Sequence, residues 1–421
     1  MLPIDRRSLL GWGMLAATAA ILPDPLRAKD VAEWPSVRTL VQSYVRTGKV
    51  PAALAMIGKG TDPAETIASG TLAKASTVAV DQDTLWRLYS MTKPVTGMAA
   101  MMLVGDGQIR LDQPVADFIP EFAEMRVLTD PNHSLDSVPA RGRLTIRHIL
   151  THSGGLGYTI VNTGPIRRLY MENGLIPGVV SRYQKYDRER LVPTPPLDEF
   201  ARRLGKMPLL FEPGTRWSYG VGLDLMGRII EIASGKPFDT FIKERLFAPL
   251  GMDSTFFQVP RSERRRLSTN HFVSGGLVIP IDNQARSIYY DKPAFPFGGA
   301  GLAGSARDYD RFLTMLLNNG HLGGVDIMHP DMVALGTSNL LPPEVTTQGT
   351  PVAGQGFGAG GRVGLGAQAG SYGWAGAAGT IGYIDRRRNL RAACYAQFMP
   401  ADAYGLQTEF PAAVARDRPQ E

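Results

Sequence analysis

The stretch WRLYSMTKPVTG, residues 86–97, sets Ser90 three residues before Lys93, follows the lysine with Pro94 and runs on into small and apolar residues. If Ser90 opens a helix, the two side chains lie one turn apart on a shared face. Pro94 is tolerated there, because a first helical turn has no intrahelical acceptor for that amide. Val95 to Val104 then reads as a helix that is apolar on all sides and therefore buried. A serine hydroxyl is a poor nucleophile at neutral pH and needs a base within hydrogen-bonding reach and donors for an oxyanion. On these residues alone the ordinary reading is an N-cap serine beside a solvated lysine.

Other signatures of catalysis are weaker. No Gly-x-Ser-x-Gly elbow occurs, which argues against the usual α/β-hydrolase nucleophile. His148 and His152 are four apart, as zinc ligands can be, but Ile149 stands where a zinc-protease helix needs glutamate, and Gly154 and Gly155 end the helix. No metal is expected. Residues Gly299 to Gly304 match G-x-G-x-x-G, yet Pro293 and Pro296 spoil the preceding strand and no βαβ unit surrounds the match. The better reading is a tight glycine turn leading to a helix capped by Ser305, with Tyr309, Phe312, Leu313 and Leu316 on its apolar face.

The 421 residues suffice for a large core, with 44% hydrophobic and 20% charged residues, which sets disorder aside. A net charge of +6 raises the question of an anionic partner. The basic clusters at Arg264–Arg266 and Arg386–Arg388 lack interleaved aromatics, so they read as solvated loops, and no nucleic-acid partner is expected. Arg6 and Arg7 precede an apolar run from Leu9 to Leu22 that is short for a bilayer. With Ala28 as a plausible cleavage point, residues 1–28 resemble a twin-arginine export signal, which predicts a periplasmic or secreted protein with no stable membrane span after its removal. Cys394 is the single cysteine, so no internal disulfide is available and stability rests on packing.

Val37, Val41, Tyr44 and Val45 recur at helical spacing before Gly48. Ala52 to Ile57 and Glu65 to Ser69 read as a hairpin. Leu223, Met226, Ile230 and Ala233 form a helical face that Gly235 ends. Late in the chain, a glycine-rich stretch from Gly354 to Gly373 leads to strands over Thr380 to Asp385 and Leu390 to Met399, joined by a turn at 386–389. The expected architecture is an α/β fold of the α+β type: an antiparallel sheet built from both termini (29–105 and 300–421), with a mainly helical region, 106–299, inserted. A cleft between the two is the natural place for a site.

Five blocks stand in order: SMTK, LTIRHILTHSGGL (144–156), FEPGTRWSYGVGLDLMGRIIE (211–231), GGAGLAGSARDYDRF (298–312) and YGWAGAAGTIGYID (372–385). Together they resemble the serine β-lactamase-like proteins, and most of all the family VIII carboxylesterases related to class C β-lactamases. The resemblance runs from about residue 35 to the end and implies the β-lactamase-like fold. It implies Ser90 as acyl-accepting nucleophile, Lys93 as its partner and Tyr219 as general base, a role a phenol fills only with a positive charge at hand. Trp374-Ala375-Gly376 stands where β-lactamases have Lys-Thr-Gly, so Ala377 is expected to donate its amide to an oxyanion beside the amide of Ser90. Val221 replaces the asparagine that touches a β-lactam amide, and Trp374 replaces the lysine that meets its carboxylate. Both departures remove polar recognition of a β-lactam or peptide, and an apolar, uncharged ester suffers less because it presents no carboxylate left unpaired on binding.

The implied activity is hydrolysis of esters of small, largely uncharged substrates, without cofactor. A β-lactamase or D-alanyl-D-alanine carboxypeptidase on the same scaffold stays open as the alternative, as do amidase or transesterase chemistry and a non-catalytic member. The residues do not set the acyl and alcohol preference or the number of subunits.

Overall fold

The computed structural model describes residues 33–178, 180–182 and 192–419. The export signal read over residues 1–28 lies outside them. Among the described residues no helix is long and apolar enough to cross a membrane.

A seven-stranded antiparallel sheet takes its strands from the two ends of the chain. Ala52–Lys59 pairs with Glu65–Gly70 on one side and with Leu390–Tyr395 on the other. Thr380–Asp385 and Ser371–Gly376 follow, and two short strands, Arg362–Val363 and Gly356–Phe357, complete the order. The interior strand Ala52–Lys59 is apolar up to Gly58 because both its faces are covered. Period-2 alternation sorts its side chains. Ala53, Ala55 and Ile57 pack with Val37, Val41, Phe410 and Val414 of the first and last helices, Pro35–Arg46 and Leu406–Asp417. Leu54 and Met56 enter the main core with Met91, Val95 and Tyr309.

The strand expected to run unbroken from Leu390 to Met399 instead stops at Tyr395. Gln397 is buried, and its amide group accepts from the Arg87 N–H and donates to the Arg87 carbonyl, both at 3.2 Å. Those bonds draw the chain off the sheet, and Phe398–Met399 pairs in parallel with Asn270–Ser274.

Between the termini the chain is largely helical. The helix Thr92–Gly105 is buried along nearly all its length and crosses Gly222–Ser234, which ends at Gly235 as its sequence predicts. A small sheet of Leu85–Arg87, Ala303–Ser305 and Thr255–Phe256 ties the approach to Ser90 to the later part of the chain. Ser305 caps the helix Ala306–Leu317 by accepting from the Asp308 N–H at 3.1 Å. The glycine run before it is thus a lead-in to a structural helix, as its sequence context indicates.

Candidate active site

Ser90 sits in a 3-10 turn, Tyr89–Met91, that leads straight into Thr92–Gly105. Tyr89 has φ 43°, a left-handed conformation that costs a side-chain-bearing residue on the order of 1 kcal/mol or more and is tolerated where surroundings fix it. Here the Tyr89 hydroxyl accepts from Asn270 Nδ2 at 3.2 Å and its ring packs edge-on against Tyr289. The bend delivers the Ser90 hydroxyl to a cavity of about 680 Å³.

Lys93 is one turn further on, fully buried. Its Nζ donates to Ser90 Oγ at 3.3 Å and to the Gly299 carbonyl at 2.7 Å. It also lies 4.6 Å from the centroid of the Tyr219 ring. Tyr219 Oη donates to Ser90 Oγ at 2.8 Å. Three residues spread over 129 positions thus meet as their motifs imply.

The strand Ser371–Gly376 closes the fourth side. Trp374 Nε1 donates to Tyr219 Oη at 3.1 Å, and the residue does not line the cavity as a substrate-binding residue would. Gly376 also does not line the cavity. It lets the strand end approach the Ser90 turn, since a Cβ there would lie 2.3 Å from the Leu88 carbonyl oxygen. Ala377, the first residue of the following turn, does line the cavity beside Ser90. Val221 corrects its expected place at the substrate: it is fully buried at the start of Gly222–Ser234, with its amide donating to the Gly157 carbonyl at 3.3 Å. As the residue that leads the chain into a buried helix, it has no line to the cavity.

The polar groups around the trio are held in definite states by burial. Burial, with Lys93 adding to it, pushes the His152 imidazole well below its ordinary value, so the ring is neutral. It lies 4.7 Å from the Tyr219 ring, enclosed also by Trp217 and Phe357, and its Nδ1 accepts from the Gly220 N–H at 3.3 Å. His148 closes a capping box with Thr145 at the start of Ile146–Leu150. Burial, then Tyr219 and Asp224, pushes the Tyr158 phenol well above its ordinary value, so it keeps its proton 5.5 Å from the Tyr219 ring.

The cavity walls are mainly apolar, among them Ile160, Met171, Ile176, Phe257, Phe297 and Met399. Among the described residues, charge enters through Arg167, Asp291 and Lys292, and Asp291 is paired with Arg182 at 2.7 Å. Sequence reasoning missed the Gly299 carbonyl and the bond from Trp374 to Tyr219. A strand tryptophan beside small residues gives no sign that its indole N–H turns toward a phenol 155 residues away.

A family model described as Beta-lactamase matches residues 37–414. The chain belongs to the beta-lactamase family. Within this family it is similar to Esterase EstB of Burkholderia gladioli, 33% identical over 251 residues that make up 56% of this chain and 58% of EstB. The chain therefore spans less than two thirds of EstB's length. The Lovastatin esterase of Penicillium rubens is 31% identical over 334 residues, 73% of this chain and 78% of that one. The solved structure of EstCE1, described as a hydrolase with promiscuous acyltransferase activity, covers 91% of this chain and 98% of its own, with a TM-score of 0.75 and 24% identity, which shows the fold.

One consequence for this family member follows from the indole. Trp374→Phe keeps the ring packing on Tyr219 and removes its N–H. A hydrogen bond to a charged oxygen is worth about 1.5–3 kcal/mol, so kcat on an ester should fall roughly 10- to 100-fold with KM little changed. Steady-state kinetics on a nitrophenyl ester checks this.

Proposed function

We propose that the chain is a serine carboxylesterase that works through an acyl-enzyme on Ser90. The observation that carries this reading is the convergence of Tyr219 Oη at 2.8 Å and Lys93 Nζ at 3.3 Å on Ser90 Oγ, with Ser90 lining a mainly apolar cavity. Tyr219 acts as its phenolate and takes the Ser90 proton, while the Lys93 ammonium and the Trp374 N–H offer positive charge to its oxygen. Ser90 Oγ forms a bond to the ester carbonyl carbon, and the amides of Ser90 and Ala377 receive the oxyanion. The carbon–alkoxide bond then breaks, and the departing alcohol takes the proton from Tyr219. Water repeats the sequence on the acyl-enzyme and releases the acid.

The esterase names of the relatives support the same chemistry, and the apolar walls favour an uncharged ester. A volume near 680 Å³ leaves room for acyl or alcohol groups well beyond acetate. With Trp374 turned to Tyr219, the lysine that would pair a lactam carboxylate has no counterpart on that strand. The test is a series of nitrophenyl esters of two to eight carbons beside a chromogenic cephalosporin. Esters should exceed the cephalosporin in kcat/KM by about 10³-fold or more, a ratio typical of a lost polar contact compounded by an unpaired charge. Faster turnover of the cephalosporin would replace the esterase reading with the lactamase one.

We further propose export by residues 1–28, supported by Arg6, Arg7 and the apolar run that follows. Replacing both arginines with lysine should leave the protein in the cytoplasmic fraction of a bacterial host. Unchanged appearance outside the cytoplasm would count against the twin-arginine reading.

A further inference from the structure

The carbonyl that holds Lys93 belongs to a residue that is itself held. Gly299 presents its C=O to Lys93 Nζ at 2.7 Å and donates its N–H to Asp224 Oδ1 at 2.9 Å. Asp224 is the third residue of Gly222–Ser234 and is 1% exposed, in a helix start otherwise made of Leu223, Leu225 and Met226. A carboxyl there sacrifices solvation that an apolar residue would not need. The fit is close: a Cβ at residue 299 would lie 2.6 Å from Asp224 Oδ2, so any side chain there would push the carboxyl from its place.

From this chain of contacts the geometry points to Asp224 as a positioning residue for the proposed acyl transfer. It fixes the Gly299 carbonyl that aims the Lys93 ammonium at Ser90, and it supplies the negative charge that balances the ammonium inside the core. The role rests on the esterase reading for its chemistry and on the Lys93–Gly299–Asp224 hydrogen bonds for its path.

The titration of Asp224 gives the idea a measurable edge. Burial raises its carboxyl to about 6, against the opposing pull of Lys93 and of the Gly299 N–H. Lys93, from Thr92–Gly105, and Tyr158, which keeps its proton, are the titratable groups that act with it. Charged groups on the other helices packed nearby are engaged elsewhere or exposed. Burial, ahead of Asp112 and Arg147, lowers His148 to about 4, so it stays neutral; Arg202 and Arg203 pair with Glu199, and Asp239 is exposed. As pH falls through 6, Asp224 gains a proton and the ammonium loses its counter-charge, so activity should fall on that limb.

The test uses the full chain with Asp224→Asn, Asp224→Ala and Gly299→Ala. Three readouts are taken: kcat and KM on nitrophenyl butyrate from pH 5 to 9, the rate of Ser90 labelling by a fluorophosphonate, and the melting temperature. Asp224→Asn can still accept from Gly299 but carries no charge. It should lower kcat and labelling about 10-fold at pH 8, keep KM within twofold, lose the limb near pH 6 and melt no lower than the parent. Asp224→Ala and Gly299→Ala should lower both rates about 100-fold. Parental kcat and labelling rate in both Asp224 variants, or rate losses that track a fall in melting temperature with the limb near pH 6 intact, overturn the inference. A parent protein that labels at Ser90 without hydrolysing esters overturns the esterase reading alone, and the labelling rates still judge Asp224. A parent that does not label overturns both.

Discussion

Ser90→Ala is expected to lower ester turnover on the order of 10⁴-fold or more, and Tyr219→Phe about 10³-fold, with both proteins folded. The two losses have different origins. Without Ser90 Oγ no acyl-enzyme forms, so the burst of nitrophenol and the acyl mass adduct on the protein disappear together. Without the Tyr219 oxygen the nucleophile stays in place, 3.3 Å from Lys93, but its proton has lost the 2.8 Å path to a base. Phenylalanine keeps the aromatic packing with His152, Trp217 and Trp374, so a stability change is not expected to account for the loss. Stopped-flow measurement of acylation separates the cases. Acylation within a few-fold of the parent in Tyr219→Phe would move the role of base to Lys93.

The second large effect is on stability. Arg87, three residues before the candidate nucleophile, is completely buried and donates from Nε to Asp282 Oδ2 at 2.9 Å. Its other nitrogens reach the Ser268 carbonyl, the Asp282 carbonyl at 3.1 Å and Ser287 Oγ at 3.0 Å. The Gln397 amide that pulls the last strand off the sheet meets the same residue. The network therefore joins the Ser90 turn, the C-terminal part of the chain and the inserted region. Asp282→Ala leaves a guanidinium buried without its counter-charge, a change that costs about 3–5 kcal/mol. For a chain of this size that is a fall of roughly 5 °C in melting temperature. Activity should fall with it, because the turn that presents Ser90 loses its anchor. An apolar pair of similar volume at 87 and 282 should recover much of the stability, since burying two charges is itself expensive. Calorimetry of Asp282→Ala beside that double replacement checks both statements.

The elements legible in the sequence are those whose pattern is local. The helix Pro35–Arg46, the hairpin of Ala52–Lys59 with Glu65–Gly70, the Gly235 stop and the Ser305 cap each follow from spacing over a few residues. The end of the last long strand did not follow, because after Arg391 the run from Ala392 to Met399 is apolar apart from Gln397, and what stops it is the distant backbone of Arg87. The same division runs through the site. One helical turn between Ser90 and Lys93 puts them on a shared face, but their roles, like that of Tyr219, came from the resemblance carried by the five blocks. Val221 was misplaced by that same resemblance, since a motif gives a residue's position in the chain but not the direction its side chain takes.

By itself, then, the sequence determined the order of blocks, the residue types able to perform acyl transfer, and a sheet drawn from both termini. The tertiary structure alone decided that Trp374 turns to Tyr219, that the Gly299 carbonyl holds Lys93, and that Asp224 stands behind that glycine. The physical reason is that periodicity and motif spacing encode short-range geometry along the chain. A hydrogen bond between residues 75 to 206 positions apart depends instead on how whole helices and strands pack.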